Sequence, residues 1–217
     1  MAYPAALERL LRELELLPGV GPRTAERLAY FLIARSPERP RALAQALEGL
    51  VDTVRPCRRC HSLTDQELCA ICSDQGRDHS KVVVVEHPKD MEALERAGWR
   101  GLYHVLQGTI QIPGSPASDP SGDSAGLQSL RQRLKEGKIQ EVVLGTNPDL
   151  EGDGTALSVQ SMIEKELPAE ARKRLQVTRL ARGLPTGTSL VYANPAVIAE
   201  AIEERKDLRR GGQADEA

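Results

Sequence analysis

The chain has 217 residues, a formal net charge of −2, 40% hydrophobic residues and only 3% aromatic residues. This length accommodates one large domain or two to three small ones, and the hydrophobic content supports a packed core. The few aromatic side chains argue against a base-stacking platform as the main binding device. The longest apolar runs, such as Val82–Val85, fall far short of the about 20 residues of a membrane span. Since the N-terminus also lacks the apolar core of a signal peptide, we expect a cytoplasmic protein.

Charge is distributed unevenly along the chain. Residues 1–60 contain ten arginines, no lysine and seven acidic residues, which gives a net charge of +3. Residues 61–217 carry a net charge of −5. The overall charge argues against a strongly basic nucleic-acid binder, but a mildly basic N-terminal part is compatible with local nucleic-acid contact.

The first sixty residues predict three helices. Leucines at helical spacing predict the first helix, and they are Leu7, Leu10, Leu11, Leu14 and Leu17. Residues 18–21 interrupt this helix, and Pro22 is suited to the first position of the next one. Apolar residues at helical spacing in that second helix are Ala25, Leu28, Ala29 and Leu32. A third helix is predicted from about Pro40 to Val54.

The turn between the first two helices carries a possible binding site. Gly19 and Gly21 supply the positive φ angles of a tight helical hairpin. Arg23 and Arg27 lie four residues apart at the start of the next helix, where they repel each other and oppose the helix dipole. A phosphate bound at this helix start would relieve both effects. Neutralisation by Glu8 and Glu26 is the alternative, and the residues alone leave both interpretations open.

All four cysteines lie within sixteen residues, as two Cys-x-x-Cys pairs. They are Cys57, Cys60, Cys69 and Cys72. In a reducing cytosol this clustering indicates a metal site, and four thiolates form the closed, structural type of zinc site. Two redox pairs are the alternative, but neither pair opens a helix in a βαβ context, so we favour one structural zinc ion. We expect His61 and His79, which flank the cluster, to be solvated surface residues and not ligands.

From Lys81 onward, strand and helix patterns alternate. The predicted strands are VVVVE, GLYHVL, IQEVVLG and LQVTRLA, and the predicted helices are HPKDMEALERAG, LQSLRQRLKEG and about Gly154 to Leu167. This alternation predicts a mostly parallel sheet covered on both faces. A loop rich in Pro, Gly, Ser and Asp is predicted at about Gly108 to Gly126. NPAVIAEAIEERK predicts a last helix, which precedes a disordered tail.

Acidic residues follow two of these predicted strands. Glu86 ends VVVVE, and Asp149, Glu151 and Asp153 follow VVLG. The carboxyl ends of parallel strands line the ligand crevice of an open sheet, and clustered oxygens there could hold Mg²⁺. The alternative is a helix cap at Asp153 or Thr155, with the other acidic side chains solvated.

The motifs together resemble the RecR family of bacterial recombination mediators. LPGVGPRTAERLA resembles the helix-hairpin-helix motif, which binds the sugar-phosphate backbone without reading sequence. A four-cysteine finger and an α/β domain resembling a Toprim domain follow in the family's order, over residues 3–205. Further matching segments are SKVVVVEHPKDMEALERAG, GLYHVLQG, TNPDLEGDGTA and RLARGLPTGTSLVYAN.

The resemblance implies an α+β multi-domain fold. Its parts would be a helix-hairpin-helix domain at 1–54, a four-cysteine zinc finger at 55–79, a Toprim-like domain at 80–180 and a C-terminal segment with an assembly helix at 181–217. Family members assemble into ring-like tetramers through their N-terminal and C-terminal regions.

The resemblance also implies a non-enzymatic role in DNA repair. RecR-like proteins act with RecO, and in some settings RecF, to help RecA replace single-stranded-DNA-binding protein at gaps. Single- or double-stranded DNA would contact the hairpin residues Gly19, Gly21, Arg23 and Arg27. The Toprim part, with Glu86 and the acidic residues after VVLG, would serve mainly for partner contact.

Two other function classes compete with this interpretation. A Mg²⁺-dependent Toprim-type nuclease or strand transferase would need only carboxylates and metal. His87 follows Glu86 where many relatives carry a second acid, which weakens that interpretation. A topoisomerase needs a tyrosine nucleophile, but Tyr30 lies in a predicted helix, and Tyr103 and Tyr192 lie in predicted strands. The other competing class is a zinc-stabilised interaction module without DNA contact.

Overall fold

The computed structural model describes residues 3–35, 37–110 and 125–203. The chain forms two compact units that divide between Arg55 and Pro56. The four-part division predicted from the sequence stays a prediction. The predicted disordered tail and most of the predicted loop at 108–126 lie outside the described residues.

The first unit consists of the three predicted helices. They are α1 (Ala5–Glu15), α2 (Pro22–Arg35) and α3 (Glu38–Thr53). Ala25 and Ala29 of α2 are fully buried, and their small side chains let α1 pack closely against α2. The hydroxyl of Tyr3 donates to Glu26 of α2 at 3.1 Å, which ties the chain before α1 to the second helix.

The second unit begins with the cysteine segment. The short strand β1 (Arg55–Pro56) lies at the division and pairs with β2 (Leu63–Thr64), and one turn of helix, α4 (Ala70–Ser73), follows. Cys69 immediately precedes α4, and Cys72 lies within it.

The remainder of the second unit is built around a four-stranded parallel sheet. Its elements are β3 (Asp78–Val85), α5 (Pro88–Arg96), β4 (Gly101–Val105), α6 (Ala125–Lys135), β5 (Glu141–Leu144), α7 (Leu150–Glu166), α8 (Ala169–Arg174) and β6 (Gln176–Arg179). The strand order is β4-β3-β5-β6, and every pairing is parallel. Val83 of β3 lies beside Tyr103 of β4 and Val143 of β5. The predicted α+β architecture with a parallel sheet is confirmed.

Helices cover both faces of this sheet, because alternate residues of each strand point to opposite sides. Val82 and Val84 pack with residues of α6 and α7, such as Leu130 and Val159. On the other face Val83 and Val85 pack with Met91 of α5. The apolar run in β3 is continuous because both faces are buried.

Three local predictions differ from the structure. Helix α7 begins at Leu150, four residues before the predicted start, and α8 was not predicted. Tyr192 lies in a short 3₁₀ helix, Leu190–Tyr192, and not in a strand. This apolar triplet pairs with no strand in the described part of the chain, so an extended conformation gains no hydrogen bonds there.

The last described helix is α9 (Pro195–Glu203). None of the helices in the described residues is long and apolar enough to cross a membrane.

Candidate functional site

The four cysteines of the finger converge on one point. Cys57, Cys60, Cys69 and Cys72 are all buried, and their sulfur atoms all lie within 4.8 Å of one another. The sulfurs of Cys60 and Cys69 are 3.5 Å apart, and no disulfide links any of the four. Tetrahedral zinc holds thiolate sulfurs at about 2.3 Å, which places them about 3.8 Å from one another.

Tight local turns position these sulfurs. The Cys57 N–H donates to the carbonyl of Ser62 at 2.6 Å, and the His61 N–H donates back to the carbonyl of Cys57 at 2.9 Å. His61 adopts a left-handed φ of 62°, which closes this knuckle. The Cys69 N–H points at the Cys57 sulfur at 3.3 Å, so a backbone dipole already favours negative charge on that sulfur.

The cluster is electrostatically suited to a cation. Hydrogen bonding with Cys69 raises the pKa of Cys60, and the same interaction lowers the pKa of Cys69. The buried thiols therefore differ in how readily they lose a proton. They also lie too close together for several of them to be ionised at once without a cation. A divalent ion removes this conflict, and the four cysteines form the site of one structural zinc ion.

The zinc site is attached to the parallel sheet. The N–H of Val105, on edge strand β4, donates to the carbonyl of Cys60 at 2.8 Å. Ile71, between Cys69 and Cys72, packs against both apolar clusters of the sheet as well as against the cysteines. The finger is thus joined to the sheet through backbone and core contacts.

The expectation that His61 is a solvated surface residue is wrong. Its ring is half-buried, lies within hydrogen-bond distance of the Ser129 hydroxyl and packs edge-on against His104 at 5.4 Å between centroids. Burial lowers its pKa. His79 is also partly buried, and its Nε2 contacts the Asp74 carbonyl at 2.9 Å. Neither histidine belongs to the four-sulfur cluster.

The prediction that both hairpin glycines have a positive φ angle is confirmed for Gly19 and wrong for Gly21. Gly19 has a φ of +78°, in the left-handed region that favours glycine. Gly21 has no positive φ, and its carbonyl accepts from the N–H groups of Thr24 and Ala25 at 2.9 Å each, so it is the residue from which α2 begins. A methyl group added to Gly21 would meet nothing within 4 Å, so the approach to this helix start is open.

Arg23 and Arg27 are both exposed on the first turns of α2. Neither side chain forms an ion pair or hydrogen bond with another described residue. Glu26 accepts from Tyr3, and Glu8 pairs with neither arginine, so internal neutralisation is not observed. The two cations at the positive end of a helix dipole therefore remain available to an external anion.

Glu86 lies at the carboxyl end of β3 and is almost fully buried, at 1% exposure. One of its carboxylate oxygens accepts from the side-chain amide and the backbone N–H of Asn147, which follows β5. Its other oxygen is buried and has no partner within the described residues. His87, next in sequence, precedes α5, and its N–H donates to Asp90 at 2.9 Å.

The three acidic residues after β5 have separate local roles. Asp149 caps α7, since its carboxylate accepts from the Gly152 N–H at 2.7 Å. This is why α7 begins earlier than the sequence predicted, with Asp149 as its cap and not Asp153 or Thr155. The Glu151 side chain is exposed.

Asp153 faces two arginines. Its Oδ1 accepts from Arg179 at 2.5 Å and from Arg182, which also bonds to Glu200 at 2.9 Å. Hydrogen bonding from Arg179 and then from Arg182 lowers the pKa of Asp153. A cleft of about 330 Å³ lies beside these groups and is lined by Thr146, Pro148, Arg179, Leu180, Ala181, Arg182, Gly183, Val197 and Glu200.

Among the described residues, only the cysteines bring three or more potential ligand atoms together. The four acidic residues singled out from the sequence therefore lie near one edge of the sheet without converging on a shared point. Their use in partner contact stays a prediction.

Three family models match the chain in sequence order. The model described as RecR, helix-hairpin-helix matches residues 7–51, the model of the RecR zinc finger domain with four cysteines matches 54–74, and the Toprim domain matches 80–181.

Full-length relatives extend this similarity. A Recombination protein RecR of Roseiflexus castenholzii is 45% identical over 94% of this chain and 95% of its own length. This chain belongs to the RecR family. Proteins of the same name from Chloroflexus aurantiacus (42% identical, 94% of this chain and 95% of that protein) and Desulforudis audaxviator (40%, 96% and 100%) are also similar.

Several contacts of this RecR-family chain were not found by sequence reasoning. They are the bonds of Asn147 to Glu86, of Arg179 and Arg182 to Asp153, and of Arg133 to the Tyr103 carbonyl. Arginine and asparagine are common on protein surfaces, so their presence in the sequence does not predict these contacts. The one clue is position: Asn147 follows the predicted strand IQEVVLG, and Arg179 lies near the end of the predicted strand LQVTRLA. Side chains from different parallel strands meet at these ends.

Proposed function

We propose that this chain is a DNA-binding recombination mediator of the cytoplasm. It would act with RecO, and in some settings RecF, to help RecA replace single-stranded-DNA-binding protein at gaps. The name of its relatives, Recombination protein RecR, supports this general role. The helix-hairpin-helix match supports the DNA contact.

The observation that carries the proposal is the unneutralised arginine pair at the start of α2. Arg23 and Arg27 are exposed and unpaired within the described residues, and Gly21 leaves the helix start open to close approach. Guanidinium groups and a helix N-terminus together favour a phosphate. Such contacts recognise the backbone, so binding is independent of sequence in single- and double-stranded DNA.

Assembly into an oligomer would strengthen DNA contacts that are weak in a single chain. Large apolar side chains are exposed on both units: Leu47, Leu50 and Val51 of α3, which share one helix face, and Val191 and Tyr192 of the 3₁₀ helix, at 84% and 87% exposure. Such surfaces are typical of protein interfaces. We infer that they support a ring-like homotetramer, in which four hairpins act on one DNA and raise the effective concentration of each contact. A net charge of −2 per chain is then compatible with a DNA partner.

The proposal assigns no catalytic residue. The Asp153 carboxylate is engaged by two arginines, and one Glu86 oxygen is engaged by Asn147. A Mg²⁺ ion would have to displace these partners, so no observation favours the alternative nuclease or strand transferase. The acidic residues Glu86, Asp149, Glu151 and Asp153 would instead contribute to a partner surface.

The test compares the double variant Arg23→Ala/Arg27→Ala with the double variant Arg9→Ala/Arg41→Ala. All four arginines are exposed in the helical unit, so both variants remove two positive charges from it. Binding to fluorescent single-stranded and duplex DNA is measured from low to moderate salt, with and without RecO. We expect the first variant to bind every sequence more weakly and to reduce the salt slope by about one for each lost phosphate contact.

The control variant should change the slope little. Equal losses in both variants would mean that the hairpin acts only through net charge, and unchanged binding in the first would remove the hairpin from the interface. Light scattering of the same samples tests the assembly, since a monomer with full affinity contradicts the multivalent explanation. Nicking of supercoiled plasmid with Mg²⁺ or Mn²⁺ that is lost in Glu86→Gln would favour the enzymatic alternative.

A further inference from the structure

Arg133 of α6 is a buried cation with incomplete hydrogen bonding. The residue is only 6% exposed, although arginine is rarely buried without a charged partner. Its Nη1 donates to the backbone carbonyl of Tyr103 at 2.6 Å. Its Nε and Nη2 are buried and have no hydrogen-bond partner within the described residues, and no carboxylate there pairs with it.

The Arg133 guanidinium and the zinc site are both held by edge strand β4. Tyr103 and Val105 are two residues apart on edge strand β4, so their backbone groups point in the same direction, away from β3. The Tyr103 carbonyl holds Arg133, and the Val105 N–H holds the carbonyl of Cys60. One edge of one strand therefore positions both the cation and a zinc ligand.

Helix α6 meets the finger at a second point. Ser129 lies four residues before Arg133 on α6, and its hydroxyl is within hydrogen-bond distance of His61, the residue after Cys60. Burial lowers the pKa of Arg133, the Cys72 and Cys60 sulfurs act in the opposite direction by favouring its charged form, and the half-buried Arg59 of the finger lowers it as a second cation. The shared β4 edge and the Ser129–His61 contact place Arg133 beside the finger.

The zinc-loaded site needs such a counter-charge. One Zn²⁺ with four thiolates carries a formal charge of −2, and a buried net charge is costly unless an opposite charge lies nearby. His104, which packs beside His61, does not supply one, because burial lowers its pKa to about 3 and its Nε2 already contacts the Gly126 carbonyl at 2.9 Å. An arginine keeps its charge in such an environment.

We propose that Arg133 is the counter-charge of the zinc–tetrathiolate centre and couples zinc binding to the docking of the finger on edge strand β4. In the zinc-loaded protein the buried cation and the buried dianion stabilise each other. Without zinc, most of the four cysteines take up protons, so less negative charge compensates the burial of Arg133. Arg133 therefore contributes more to stability with zinc bound than without it.

The test is a cycle of mutation and metal loading on the full chain. Arg133→Met removes the charge and keeps most of the apolar volume. Zinc affinity is measured by competition with a chromophoric chelator, and thermal unfolding is measured for the zinc-loaded and metal-free proteins. We expect zinc affinity to fall by about 10- to 100-fold, as for other groups that support metal ligands. We expect the substitution to lower the unfolding temperature clearly more with zinc bound than without it.

A merely structural role for Arg133 gives a different result. Loss of packing or of the Tyr103 bond would lower both unfolding temperatures alike and leave zinc affinity unchanged, which would overturn the proposal. The matched control is Arg131→Met on the same helix, where Arg131 pairs with Glu166 near the surface, and it should leave zinc affinity unchanged.

A second pair of variants decides the question if Arg133→Met does not fold. Arg133→Gln keeps a donor for the Tyr103 carbonyl but loses the charge, whereas Arg133→Lys keeps the charge. The proposal requires the Gln variant to bind zinc at least about 10-fold more weakly than the Lys variant. Equal affinities for the two would overturn it.

Discussion

Arg77 and Glu95 form an ion pair through two parallel hydrogen bonds. Arg77 Nη1 donates to Glu95 Oε1 at 2.8 Å, and Nη2 donates to Oε2 at 2.6 Å. The Arg77 side chain is 8% exposed, and its Nη1 also donates to the Gly101 carbonyl. The Tyr103 hydroxyl completes the group by donating to Glu95 at 2.6 Å. The segment that connects the finger to β3 is thereby held to both α5 and β4.

We expect Glu95→Gln to lower the free energy of unfolding by about 2 kcal/mol at neutral pH, because it removes the closer of the two carboxylates that pair with the buried Arg77 and leaves only Asp74, at 3.6 Å. Hydrogen bonding from Arg77 lowers the pKa of Glu95. This stabilisation is therefore present above the unfolded carboxyl pKa of about 4.3 and is lost as the pH falls through the lower folded pKa. Urea unfolding across this range should show wild type approaching the variant only under acid conditions.

Glu92→Gln is the control for that measurement. Glu92 lies on the same helix and pairs with Arg96, but both side chains are 73% exposed. Its loss should cost less than about 1 kcal/mol. Equal costs for Glu92 and Glu95 would show that burial of the pair contributes nothing.

Removal of zinc should open the finger selectively. In the native protein we expect one zinc ion per chain and slow reaction of all four buried cysteines with a thiol reagent. A chelator should release the zinc and make the thiols reactive, because metal binding and folding of such a finger are coupled. Metal analysis and thiol titration measure both quantities. Absence of zinc, with thiols that react freely in the native state, would refute the assignment.

The two hairpin glycines should respond differently to alanine. Gly19→Ala forces a side chain into a φ of +78° and should cost about 1 kcal/mol of stability. Gly21→Ala meets nothing within 4 Å and should leave stability nearly unchanged. If a phosphate approaches the start of α2, the new methyl group will still weaken DNA binding. Thermal unfolding and DNA anisotropy separate these effects, and normal DNA binding by Gly21→Ala would argue against close approach.

Gly152 should tolerate no side chain. A Cβ atom at this position would lie 2.1 Å from the Asn147 carbonyl oxygen, so the capped start of α7 would have to move. We expect Gly152→Ala to cost at least about 2 kcal/mol. Gly49→Ala in α3 is the matched control, because its Cβ meets nothing within 4 Å and alanine is the better helix former. Chemical denaturation should show one variant destabilised and the other slightly stabilised.

Asp153→Asn should separate a structural role from a metal-binding one. Its carboxylate is 38% exposed and is paired with Arg179 and Arg182, so its replacement should cost only about 1 kcal/mol or less. We expect Mg²⁺ to leave the unfolding temperature of both wild type and variant unchanged. A Mg²⁺-dependent stabilisation of wild type that disappears in Asp153→Asn would instead indicate a metal site.

The features that sequence reasoning predicted best are local in the chain. Two Cys-x-x-Cys pairs define the zinc site because their spacing alone brings each pair of sulfurs to one ion. The hairpin is equally local, since Gly19 sets the turn and Pro22 begins the next helix within a few residues. The parallel sheet followed from the alternation of strand and helix patterns.

The contacts that the sequence did not predict join residues that are far apart in the chain. Glu86 and Asn147 are 61 residues apart, Asp153 and Arg179 are 26 apart, and Arg133 lies 30 residues from the Tyr103 carbonyl that holds it. Strand register and helix rotation decide which of these side chains meet, and they depend on the packing of the whole core. Short-range spacing was therefore enough to predict the zinc ligands, the hairpin and the order of the elements. Which charges are buried and what neutralises them could be seen only in the folded chain, because those pairings require segments far apart in the chain to come together.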